Sequence, residues 1–133
     1  MAEMGLMLLF AGIHGAIAVA LGAFAAHALE DRVLPQSLEW IQTGAHYQLI
    51  HAAVLIGVAV VLNAVDDSTV RTLLQVAGYA FFVGAALFSL TLYLMAFGAP
   101  RLLGAVTPIG GVGMIAGWGV LIAAGIITIG QTG

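Results

Sequence analysis

Four apolar stretches constrain the fold of this chain more than any other feature. They cover residues 5–28, 37–63, 69–98 and 108–129, and each has the roughly 20 apolar residues that a helix needs to cross a bilayer. Only 7% of the residues are charged, against about 25% in soluble domains, which is too few to cover a surface in water. The sequence therefore predicts an all-α, polytopic integral membrane four-helix bundle, with residues 1–133 forming a single domain.

The few polar residues exclude several classes of protein. The chain has no cysteine, so disulfides, iron–sulfur clusters and thiolate metal sites are excluded. It has no lysine, and its cations Arg32, Arg71 and Arg101 form no basic run that would bind nucleic acid. The sequence contains no nucleophile elbow and no phosphate-binding loop. We therefore expect a protein without catalytic residues and without a cofactor, surrounded by the lipid bilayer.

Helix boundaries are indicated by capping residues and charges. Ser37 is expected to cap the second helix, and Thr107, followed by Pro108, is expected to cap the fourth. Trp40 suits headgroup depth, where its ring and its N–H group are both accommodated. Charged side chains are costly in hydrocarbon, so the first helix is expected to end at three consecutive charged residues, Glu30, Asp31 and Arg32.

Small residues recur at helical spacing and indicate close helix packing. Gly15 and Gly22 each follow an alanine by four residues, and Gly113 and Gly117 form a GxxxG pair. In lipid, such pairs let helix backbones approach closely. We therefore predict helix contacts at these four glycines, with the first helix central in the bundle. Trp118 lies too deep for the nearer interface and is expected to pack between helices.

Three of the four histidines lie close together in sequence and are the candidate reactive groups. His27 ends the first helix on the side of the membrane where His46 and His51 begin the second. His51 lies about 7.5 Å deeper than His46 and about 140° around the helix, so the two do not face one ion. A site built from His27 and His51 with Gln48 would suit a transition metal or relay a proton. Two further polar residues lie nearby, Glu39 and Tyr47.

The favoured alternative is that these histidines are structural. His27 then caps a helix end, and His51 hydrogen-bonds a neighbouring helix. The sequence has no HxxxH or HExxH pattern to support a tight metal site, so we expect no bound metal.

The remaining polar groups inside the predicted helices are also expected to be structural. His14, alone near the middle of the first helix, is expected to be a neutral hydrogen-bonding residue, because protonation there would be costly. Haem binding is disfavoured, since His51, its nearest possible partner, is expected to be shallower. A serine or threonine hydroxyl in a membrane helix usually bonds to a carbonyl of its own helix, so a polar patch on the third helix, formed by Ser89, Thr91 and Tyr93, is expected to be structural.

Several separated motifs resemble the YgdD family of small four-span bacterial membrane proteins of unknown function, which has a eukaryotic relative among small transmembrane proteins. The motifs are the LGAFAAH run at 21–27, the WIQTG run at 40–44, Tyr47-Gln48 with His51, the VTPIGG run at 106–111, and Gly117-Trp118. The positions that match are His27, Gln48, His51, Thr107, Pro108, Gly110 and Gly111. The resemblance implies a four-helix membrane domain with cytoplasmic termini, and no reaction. Relatives place arginines between helices two and three, where this chain has Asp66, Asp67 and only Arg71.

These observations favour a structural or accessory protein of the inner membrane. It would be a homo-oligomer or a small subunit of a larger membrane complex, with both termini on one side. The first alternative is a proton or metal transporter or sensor that uses the histidines between helices one and two. A weaker alternative is lipid binding in a groove between helices one and four.

Overall fold

The computed structural model describes residues 1–29 and 32–131. Its four long helices are α1 (Ala2–Phe24), α2 (Pro35–Ala64), α3 (Ser68–Ala96) and α4 (Thr107–Gln131). A π-helical turn, Ala25–Leu29, extends α1, and a 3-10 turn, Arg101–Ala105, precedes α4. All four helices are long and apolar enough to cross a membrane. The predicted all-α membrane fold is confirmed, while Glu30 and Asp31, expected to end the first helix, lie outside the described residues.

The starts of α2 and α4 differ from the predicted caps. Helix α2 begins at Pro35, whose fixed φ suits the first helical position, so Ser37 already lies within the first turn. Thr107 is likewise inside α4, and the Val106 carbonyl accepts the N–H groups of the first turn. The Thr107 hydroxyl instead hydrogen-bonds that of Thr91 on α3 at 2.8 Å. Thr107 therefore joins two helices rather than capping one.

Helix α3 has a well-formed cap at each end. At its start, the Asp67 carboxylate accepts the Val70 N–H at 2.8 Å, and this hydrogen bond lowers the pKa of Asp67. At its end, the N–H groups of Gly98 and Ala99 bond back to the carbonyls of Met95 and Leu94. Gly98 has φ +98, a conformation that this reversal requires and that glycine adopts without strain.

The helices do not surround α1. Helix α1 packs mainly on α2, α2 on α3, and α3 on α4, while α1 and α4 make no close backbone approach within the described ranges. In the most apolar windows of α2 and α3, 44% and 39% of the residues are buried, against 22% for α1 and 17% for α4. The prediction of a central α1 is therefore wrong. The α2–α3 pair is central, with α1 and α4 on its two sides.

The glycines of α1 explain this arrangement. A Cβ atom built on Gly15 or Gly22 would contact Ala52 at 3.9 Å or Ala45 at 3.8 Å, both on α2. Gly15 and Gly22 therefore allow α1 to approach α2 closely, and no other helix. They also fix the register of the antiparallel pair, with Gly15 opposite Ala52.

Both termini lie at the end of the bundle that carries the α2–α3 connection. Arg71 on α3 pairs with Glu3 on α1 and donates to the carbonyls of Leu62 and Val65 at the end of α2, at 2.6 and 2.8 Å. The Gln131 side chain of α4 donates to Asp67 at 3.1 Å. All four helices are thus tied together by polar contacts at this end.

Candidate functional site

A buried chain of hydrogen bonds joins three helices near the middle of the bundle. The Tyr93 hydroxyl of α3 donates to Oε1 of Gln48 on α2 at 2.8 Å. The Gln48 amide donates to Nδ1 of His14 on α1 at 2.9 Å. Nε2 of His14 then donates to the Phe82 carbonyl of α3 at 3.0 Å. We call Tyr93, Gln48 and His14 the central network.

Each contact of the central network pairs one donor with one acceptor. The contact with a carbonyl requires a proton on Nε2 of His14, which leaves Nδ1 as the acceptor that Gln48 needs. His14 is therefore a neutral imidazole, as the sequence predicted for a buried hydrogen-bonding residue. Its one nitrogen lone pair is occupied by Gln48, so His14 offers no free electron pair to a metal or haem.

Two neighbouring contacts hold the network in place. The Ser89 hydroxyl of α3 donates across to the Gly44 carbonyl of α2 at 2.8 Å. A Cβ atom on Gly44 would lie 2.7 Å from Cε1 of Tyr93, so only glycine leaves room for this ring. The expectation that a serine or threonine of α3 bonds within its own helix holds for Thr91 and is wrong for Ser89, which bonds to α2.

A small cavity lies beside the central network, between α1 and α3. Its volume is about 160 Å³, and its polar wall consists of His14, Gln48 and Tyr93. Ile13 and Ile17, which also line it, are each 41% exposed, so the cavity opens sideways toward lipid. Because the polar atoms of its wall already bond to one another, the cavity presents a mostly apolar lining.

His51 has a different environment. Its Nδ1–H donates to the Tyr47 carbonyl at 2.8 Å, and its Nε2 is buried without a hydrogen-bond partner among the described residues. The imidazole packs against Phe81 and Trp118, with ring centroids 5.4 and 6.2 Å away. Trp118 thus contacts rings of α2 and α3, but it is 44% exposed, so it lies at the surface of the bundle rather than packed between helices as predicted.

The structure does not bring the predicted histidine site together. In the register set by Gly15 and Ala52, His27 lies level with Trp40, eleven residues before His51, which corresponds to about 16 Å along the helices. His27 and His46 are exposed, and Gln48 is engaged in the central network. The candidate site that paired His27 with His51, which the sequence offered as the alternative to structural roles, is therefore not assembled, because α2 carries His51 away from the end of α1.

The expectation that His51 lies shallower in the membrane than His14 is also wrong. In the same register His51 is level with Ala16, only two residues from His14, or about 3 Å along the helix. The two imidazoles therefore lie at similar depth near the midpoints of their helices. No group of three or more metal-binding side chains occurs in the described part of the chain.

The tightest helix crossing lies between α3 and α4. A Cβ atom on Gly110 would lie 2.6 Å from the Gly84 carbonyl oxygen, and one on Gly84 would lie 2.8 Å from the Met114 amide nitrogen. A Cβ atom on Gly113 would lie 3.2 Å from the Gly84 Cα, and one on Gly117 would lie 2.7 Å from Cε1 of Phe81. The predicted packing glycines Gly113 and Gly117 therefore lie in this crossing, but the closest contacts belong to Gly84 and Gly110.

Comparison with known proteins identifies the family. A family model described as "Protein of unknown function (DUF423)" matches residues 21–111, more than half of the chain. The chain belongs to the DUF423 family. No solved structure matches it.

Curated relatives of this DUF423 chain are membrane proteins by name. It is 38% identical over 120 residues to the UPF0382 inner membrane protein YgdD of Escherichia coli K12, covering 90% of this chain and 88% of that protein. It is 34% identical over 123 residues to the UPF0382 membrane protein YwdK of Bacillus subtilis, covering 92% and 98%. The predicted YgdD-like membership and the multi-pass membrane location are thus confirmed.

Several positions that carried the family resemblance now have a physical role in this DUF423 member. Gln48 bridges His14 and Tyr93, Thr107 bonds to Thr91, and Gly110 forms the closest point of the α3–α4 crossing. Each of these roles is a contact between helices. The residues that sequence reasoning missed are Tyr93 and Ser89 as partners of α2, and their signal was two polar side chains four residues apart on an apolar helix.

Proposed function

We propose that this DUF423 protein is a structural or accessory component of the inner membrane, without catalytic residues, that works as a homo-oligomer or as a small subunit of a larger complex. The observation that carries the proposal is the central network. Its side chains hydrogen-bond to one another and to a backbone carbonyl. These hydrogen bonds hold three helices in place. In lipid, such contacts favour helix association.

The outer face of α1 supports the oligomeric part of the proposal. Gly5, Gly12, Ala16 and Ala23 are all exposed, and their spacing of seven, four and seven residues places them on one side of the helix. A Cβ atom on Gly5 or Gly12 would meet no described atom within 4 Å. The stripe faces away from α2 and is complementary to itself, because small residues on both sides allow two helices to approach closely. A second copy related by a two-fold axis would pair the stripe with itself.

Cysteine crosslinking tests the oligomer directly, because the chain has no native cysteine. Ala16→Cys, on the stripe, is expected to give a disulfide-linked dimer in native membranes under mild oxidation. Ile115→Cys on α4, which is 72% exposed and lies off the stripe, is the matched control and should remain at background. A stoichiometric foreign protein in the purified material would instead support the subunit form. A monomer with no partner and no crosslink would contradict both forms.

Proton transfer is a second candidate, favoured by the free Nε2 of His51. The deciding measurement is proton and zinc flux in liposomes. His51→Asn keeps an N–H donor for the Tyr47 carbonyl and removes the ring nitrogen that carries a lone pair. The structural proposal predicts no flux above protein-free liposomes with either protein, and flux that His51→Asn abolishes would overturn it.

We further propose that both termini face the cytoplasm, as the family resemblance implies. Glu3 and Gln131 contact α3 at one end of the bundle, which supports a common side. Green fluorescent protein fused to the C-terminus should fluoresce, whereas alkaline phosphatase fused there should be inactive. The reverse pattern would refute this orientation.

A further inference from the structure

We propose that the end of the bundle opposite the termini holds a binding site for the phosphate of an anionic phospholipid. A cavity of about 630 Å³ lies there between the start of α2 and the end of α3, and both Arg32 and Arg101 line it. We call it the interfacial cavity. The inference is independent of the proposed structural role, because none of the residues that line the cavity belongs to the central network or to the stripe on α1.

In the described part of the chain, no carboxylate pairs with these two arginines as Glu3 pairs with the third. Arg71 is already bound by Glu3 and two carbonyls. Arg32 and Arg101 are exposed, and neither forms an ion pair with a carboxylate in the described ranges. A guanidinium group presents several N–H donors in a planar fork that matches two phosphate oxygens. Two such groups around one cavity therefore favour a phosphate as the ligand.

Trp40 positions one of these cations. The Arg101 guanidinium carbon lies 6.0 Å from the centre of the Trp40 ring, within the range of a cation–π contact. This contact keeps the cation at the cavity wall and leaves its N–H groups free. Ser37, which also lines the cavity, adds a hydroxyl that donates or accepts a hydrogen bond.

The surroundings of the cavity indicate a lipid rather than a soluble phosphate. Leu34 lines the cavity and is 71% exposed, and Leu102, next to Arg101, is 83% exposed. Phe97 also lines the cavity and is more than half exposed. Apolar side chains beside cations are expected where lipid headgroups meet acyl chains, because the apolar groups are buried in hydrocarbon while the charges stay at the headgroups. A soluble anion would gain nothing from this apolar rim.

Acidic residues occur near the interfacial cavity in sequence and would weaken its attraction for an anion. Glu39 is exposed on α2 and does not line the cavity, while Glu30 and Asp31 lie outside the described residues. The measurement must therefore report preference for an anionic lipid over a neutral one, rather than binding alone.

Lipid retention tests the site. The full chain is placed in nanodiscs of phosphatidylcholine with a minor fraction of phosphatidylglycerol, extracted gently, and analysed for retained lipid by native mass spectrometry. The wild-type protein is expected to be enriched in phosphatidylglycerol. Arg32→Gln and Arg101→Gln are each expected to lower this enrichment about fivefold, since a basic residue near an anionic membrane surface contributes about that factor. Circular dichroism verifies that each variant keeps its helices, and if one does not, the methionine variant at that position, which also removes the charge, replaces it.

Asn63→Asp is the matched control, because it makes the same change in net charge at the opposite end of the bundle. It should leave the enrichment unchanged. Equal loss in Asn63→Asp and the arginine variants would show that net charge alone attracts the lipid and would overturn the site. Unchanged enrichment in both arginine variants would overturn it as well. Displacement of phosphatidylglycerol by millimolar inorganic phosphate would show that the cavity binds free phosphate rather than lipid.

Discussion

Gly110→Ala is expected to destabilise the protein by about 2 to 3 kcal/mol, in the upper part of the range for overpacking a well-packed site. The added methyl group would lie 2.6 Å from the Gly84 carbonyl oxygen and 2.9 Å from the Phe88 Cα. Both are backbone atoms, so no side chain can rotate away, and α4 must shift from α3. The free energy of unfolding in mixed micelles, measured by titration with a denaturing detergent, checks this expectation.

The neighbouring glycine supplies the control. A Cβ atom on Gly111 would find no described atom within 4 Å, and alanine favours helix by up to about 1 kcal/mol over glycine. Gly111→Ala is therefore expected to be neutral or slightly stabilising. Equal destabilisation by the two substitutions would show that glycine is needed at this helix start for its backbone freedom, and would contradict a close α3–α4 crossing.

The contrast between these two residues shows how far the sequence predicts packing. The length and apolarity of four segments were enough to predict four membrane helices, because in lipid a backbone must satisfy its own hydrogen bonds. GxxxG spacing also identified Gly113 and Gly117 as contact residues. It did not distinguish Gly110 from Gly111, since adjacent glycines differ only in which side of the helix faces the partner.

The order of the helices was less predictable. Gly15 and Gly22 suggested a central α1, but they describe one face of that helix, which packs on α2. Which helix is central depends on contacts that all four make together. The sequence signal for α2 and α3 was the larger number of polar residues on them, such as Gln48 and Ser89, because a polar group in a membrane helix usually faces the protein interior.

Two residues of the buried polar region were singled out from the sequence, but their partners in space were not. Gln48 and His51 were identified, but they were grouped with His27 because they are near it in sequence. Helix α2 runs antiparallel to α1, so each residue further along α2 lies further from the end of α1. His14, which is 34 residues from Gln48 in sequence, is consequently its partner at 2.9 Å.

Gln48→Met is expected to destabilise the protein by about 2 kcal/mol. Methionine is close to glutamine in size and shape but cannot bridge its two partners. The substitution leaves the Tyr93 hydroxyl without its acceptor and Nδ1 of His14 without its donor, and a buried polar group without a partner costs about 1 to 3 kcal/mol. The cavity beside these groups opens toward lipid rather than water. No water molecule is therefore expected to replace the hydrogen bonds of the lost amide. Unfolding in mixed micelles measures the loss.

A double-mutant cycle separates the network from simple packing. Tyr93→Phe removes only the hydroxyl, so once Gln48 is methionine it should cost less than in the wild-type protein, and we expect a coupling free energy of about 1 kcal/mol. Gln42→Met, six residues earlier on α2 and exposed, is the control and should not destabilise, because it removes a polar group that faces outward. Additive effects of Gln48→Met and Tyr93→Phe would mean that the hydroxyl and the amide contribute independently. In that case the central network would not hold the three helices as one unit, and the structural role that we assign to it would fail.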